Sequence, residues 1–68
     1  MKFLVEVEQE IDGRWIAEVM ELPGVMSYGK TLEEAKLLVQ ALALRVIADR
    51  IENVEAGAEL TTISFEAA

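Results

Sequence analysis

Sixty-eight residues make one domain, and a chain this short buries only about 60% of the surface it exposes when unfolded, so its core is thin. With no cysteine and no histidine, it has neither disulfides nor the usual ligands of a structural zinc site to reinforce that core. Thirteen acidic residues against six basic ones give a net charge of −7, which opposes phosphate binding and argues against direct nucleic-acid binding.

Residues 2–10 alternate, with Phe3, Val5 and Val7 on one face and Leu4, Glu6 and Glu8 on the other. This period of two predicts a half-buried strand. A second strand runs from Arg14 to about Met20, with Trp15, Ala17 and Val19 on one face and Ile16, Glu18 and Met20 on the other. A two-residue turn at Asp12-Gly13 would mix the faces by pairing Val7 with Glu18. A three-residue loop, Ile11-Asp12-Gly13, pairs Val7 with Ala17 and Val5 with Val19, so the buried face selects the odd loop. Gly13 then occupies the left-handed position of a type I turn followed by a bulge. The same register sets Glu10 beside Arg14 and Glu6 opposite Glu18. Like charges directly across a sheet are destabilising. Either both carboxylates are solvated, or this outer face awaits a cation-rich partner.

Pro23-Gly24 re-aims the chain, because proline lacks an amide donor and glycine permits positive φ. Val25 to Gly29 reads as a third strand. Thr31 followed three residues later by Glu34 makes a capping box, and good helix formers continue to about Asn53. Ala58 to Phe65 reads as a final strand, beyond a break at Gly57. A helix between two strands is a crossover, which makes the last strand parallel to a neighbour.

The helix has two apolar stripes. Leu32, Ala35, Val39, Leu42 and Val46 form one, the expected sheet-packing face. Leu37, Ala41, Leu44, Ala48 and Ile51 form the other, roughly 140–180° away on a helix turning about 100° per residue. One sheet cannot cover both. The second stripe needs loops, a second subunit or a partner to cover it; it is the expected oligomer contact, in keeping with a 53% hydrophobic content that exceeds what one thin core hides.

Chemistry is hard to place. There is no histidine base and no cysteine nucleophile, and Ser27 and Ser64 lack any nucleophile context. Glu6, Glu8, Glu10 and Glu18 lie on a hairpin with no expected groove to exclude water. The chain is expected not to be an enzyme and to carry neither cofactor nor metal. No apolar run is long enough for a membrane span and no targeting segment is evident, so a cytoplasmic location is the default expectation.

Three stretches in order are Glu8-Gln9-Glu10-Ile11-Asp12-Gly13-Arg14-Trp15, Glu21-Leu22-Pro23-Gly24-Val25, and Tyr28-Gly29-Lys30-Thr31-Leu32-Glu33-Glu34-Ala35. Their order and spacing resemble the HicB antitoxin family: an acidic hairpin, a Leu-Pro-Gly loop, and Gly-x-Thr-x-Glu-Glu-Ala opening the helix. The resemblance implies an α+β fold of partial ribonuclease-H-like type over residues 1–68. Its order is β-β-β-α-β: a three-strand antiparallel meander, one long helix on one face, and a fourth strand parallel to the first. It also implies an antitoxin role in a toxin–antitoxin system, covering a small basic ribonuclease of the HicA type. Antitoxins of this family commonly carry a C-terminal DNA-binding segment, whereas this sequence stops at Ala68, so no direct nucleic-acid binding by this chain is expected. The acidic face of Glu6, Glu8 and Glu18 is the expected partner surface. The alternative is a stand-alone homo-oligomer of the same fold, joined through the second helix stripe.

Overall fold

The computed structural model describes residues 1–54 and 62–68. Four strands and one helix follow in the order β1 (Lys2–Gln9), β2 (Trp15–Val19), β3 (Met26–Gly29), α1 (Leu32–Glu52) and β4 (Ser64–Ala67). The strands form one mixed sheet in the order β3-β2-β1-β4. β1, β2 and β3 are antiparallel neighbours, and β4 lies parallel to β1. This is the α+β topology expected from the sequence.

The first hairpin has the odd loop. Val5 pairs with Val19, Glu6 with Glu18 and Val7 with Ala17. The Glu10 amide donates to the Arg14 carbonyl (2.7 Å), the Gly13 amide donates to the Glu10 carbonyl (3.0 Å), and Gly13 has φ 92°. Leu22-Pro23-Gly24-Val25 closes a second turn through the Val25 amide and the Leu22 carbonyl (3.0 Å), with Gly24 at φ 84°. Proline at the second position and a positive-φ glycine at the third are the demands of a type II turn. Leu22 and Val25, on either side of Pro23-Gly24, are both buried.

Thr31 caps α1, its hydroxyl accepting from the Glu34 amide (3.1 Å). The Glu34 carboxylate accepts from the Lys30 amide (2.9 Å), one residue earlier than the usual capping box. Asn53 ends the helix, and Val54 turns the chain at φ 57°.

The core is a single cluster between the sheet and α1, built from Phe3, Val5, Ala17, Val19, Leu22 and Val25 with Ala35, Val39, Ala43 and Ile47. Here the helix departs from expectation. Its buried line is Ala35, Val39, Ala43 and Ile47, while Leu42 and Val46 are only partly buried at its flank and Leu32 is half-buried. The reason is size. The helix lies chiefly over β2 and β3, and its first turn comes so close to β3 that a Cβ on Gly29 would sit 2.4 Å from the Ala35 nitrogen. So near an approach admits alanine along the contact and pushes the leucine to the side. β4 also departs: it spans Ser64–Ala67, whereas Thr62 and Ile63 lie outside the strand. The part of the expected strand at 58–61, and the break at Gly57, lie outside the described residues.

Candidate protein-binding surfaces

Because α1 covers one face of the sheet, the opposite face of the described structure is left uncovered. Strand register fixes what it presents. Tyr28, Ile16 and Glu8 form one row across β3, β2 and β1. Met26, Glu18 and Glu6 form the next. Met20, Leu4 and Glu66 form a third, joined by the Met20 amide donating to the Leu4 carbonyl (3.0 Å) and by the parallel pairing of Leu4 with Glu66. The Leu4 amide donates instead to the Glu21 carboxylate (2.9 Å), which takes the place of a ladder partner where β2 ends.

The structure thus brings Glu6, Glu8 and Glu18 together on one face. Glu6 and Glu8 are exposed and Glu18 is half-buried. With Glu10 and Ile16 they line an open depression of about 140 Å³. Among the described residues none of the three forms an ion pair; the ion pairs are Lys2–Glu66 (3.6 Å) and Arg14–Asp12 (2.8 Å). Arg14, the nearest cation along the hairpin, is held elsewhere: it bonds to Asp12 and lies 4.6 Å from the Tyr28 ring centroid. The Asp12 carboxyl accepts the Arg14 amide (3.1 Å), and this bond first, with the guanidinium contact, holds it below its ordinary range against the opposing effect of desolvation.

The face is not merely acidic. Leu4 is 39% exposed and Met26 43%, and Met20 and Tyr28 are comparably open. Alternation places Leu4, Ile16 and Met20 with the carboxylates, but Met26 and Tyr28 join them only through the pairing of β3 with β2. That register is not readable from a four-residue strand following a turn.

On the helix, Leu37 (68% exposed), Leu44 (47%), Ala48 and Ile51 are open to solvent, while Ala41 is half-buried. Leu38, not on the expected stripe, is also exposed. A second open cleft of about 140 Å³ runs between α1 and β4, lined by Val5, Lys36, Gln40, Phe65, Glu66 and Ala67. Among the described residues no three acidic side chains converge as metal ligands, and no helix is long and apolar enough to cross a membrane. No protein-family model, curated protein or solved structure matches this chain.

Proposed function

We propose that this chain is a protein-binding module of the HicB antitoxin type, whose uncovered sheet face masks a small basic protein of the HicA ribonuclease type. The observation that carries the reading is the open face itself, where, among the described residues, Glu6, Glu8 and Glu18 stand without cation partners beside exposed apolar side chains. Charged groups of one sign steer a partner of the other, and apolar side chains beside them supply contact area once it arrives. In this reading the chain acts in the cytoplasm, performs no catalysis and does not itself bind nucleic acid. A small basic protein encoded in the adjoining reading frame would be the partner to test.

Charge reversal of Glu6 and Glu18 to lysine tests it by stopped-flow association with that protein. At low ionic strength the on-rate should fall about tenfold or more, and its dependence on salt should flatten. An on-rate whose salt dependence is unaltered removes these carboxylates from the interface.

A second reading has its own observation. Leu37, Leu44, Ala48 and Ile51 form an exposed apolar line on α1, the kind of surface a small homo-oligomer buries. In that reading the protein assembles with itself and has no toxin partner. Sedimentation of the isolated chain separates the two.

A further inference from the structure

Along β2 the open sheet face alternates in chemistry: Ile16, Glu18, and then Met20 just past the strand's end. Tyr28 and Glu8 flank the first of these, Met26 and Glu6 the second, and Leu4 with Glu66 the third. Same-face residues along a strand lie about 6.8 Å apart. Residues four apart on a helix lie about 6 Å apart along its axis and share a face. The two spacings match closely enough for three successive rows to meet three successive positions of one helix. A helix is about 10 Å wide, and four strands spaced about 4.8 Å apart leave room for it between the sheet's edges.

We propose that this face receives a basic amphipathic helix of the partner, lying along the strands. Its contact stripe would read apolar, cationic, apolar at positions i, i+4 and i+8. The apolar residues seat against Ile16 at one end, beside the Tyr28 ring that Arg14 covers, and against Leu4 and Met20 at the other. The cation, best an arginine, reaches the Glu6 and Glu18 carboxylates between them. Those carboxylates face each other across the ladder with no cation of their own among the described residues, so the incoming charge relieves a like-charge contact as it binds. A second copy of this chain is the poorer occupant. Its sheet face would set like carboxylates against Glu6, Glu8 and Glu18, and its helix would make a head-to-tail contact between unlike surfaces.

The proposal rests on the reading of this face as the partner surface and adds the occupant's shape. Its test uses a synthetic helical peptide with leucine at i and i+8, arginine at i+4 and lysine on the flanks. Two controls are a scrambled peptide of equal composition and one with glutamate at i+4. Titration into the isotope-labelled full chain, followed by amide shifts, should move Leu4, Glu6, Ile16 and Glu18 and leave Leu37 and Leu44 in place. The scrambled and glutamate peptides should bind at least tenfold more weakly, and Glu18→Lys should weaken the designed peptide by a similar factor. Equal binding of the scrambled peptide, or shifts centred on α1, overturns the proposal. So does failure of the peptide to bind while a basic protein still binds with charge-reversal sensitivity at Glu6 and Glu18; that result leaves the acidic-face reading standing. Failure of both overturns both.

Discussion

A methyl group on Gly29 would sit 2.4 Å from the Ala35 nitrogen and 2.9 Å from its Cα. These are backbone atoms at the start of the helix, so nothing flexible can move aside. Gly29→Ala should therefore destabilise the protein by about 2 kcal/mol and lower Tm by roughly 10 °C, as read by thermal unfolding. Asp12 is a gentler case. Its folded carboxyl titrates below its unfolded value because the Arg14 amide and guanidinium favour the charged form. The stabilisation is thus fully present above the unfolded pKa and is lost as pH falls through the folded one. The stability gap between the wild type and Asp12→Asn should close in that acid window, which unfolding midpoints across pH will show. The two sites differ in how legible they are. Asp12-Gly13 reads as a turn because its chemistry is local. Gly29 reads only as the end of a strand, since its neighbour Ala35 is brought to it by the packing of α1.

At the scale of elements, alternation was enough to place β1 against β2, including the like-charge pair of Glu6 and Glu18. The outer helix stripe was legible too, because Leu37, Leu44, Ala48 and Ile51 face away from the sheet whichever way the helix rolls slightly about its axis. The inner stripe was less so. Hydropathy favours Leu42 and Val46, whereas the close approach at Gly29 selects Ala43 and Ile47, and hydropathy carries no record of interaxial distance. The outer stripe yields a direct expectation. Leu44 is 47% exposed, so Leu44→Lys should change monomer stability by less than about 0.5 kcal/mol. If α1 joins copies of the chain, the same change should dissociate them, with sedimentation velocity as the measurement.

Over the whole molecule, the −7 charge is unevenly answered. Lys2 and Arg14 are engaged at opposite ends of the uncovered face, and the carboxylates between them repel one another. Screening should therefore stabilise the fold: Tm should rise as salt increases from about 0.01 to 0.2 M, and less so in a Glu6→Gln, Glu18→Gln variant. Calorimetry measures both. Charge and size were plain in the composition, whereas the partner of β4 was legible through the resemblance, which implies pairing with the first strand, and not from the pattern of so short a strand itself. The partner is β1, and Lys2 sits beside Ser64. The ladder thus joins the two ends of the described chain, and closing a loop of about 60 residues costs roughly 3–4 kcal/mol of chain entropy before any contact repays it. The hairpin and the helix can form from neighbours in sequence, whereas β4 must wait for them. It is accordingly expected to join last during folding and to leave first in local opening, which amide exchange at Ser64–Ala67 measures. Each such departure strips the Phe65 ring from Phe3 and turns β1 from an interior strand into a bare edge. Resistance to aggregation is therefore expected to depend on how firmly Ser64–Ala67 stay paired with β1, and not on overall stability alone.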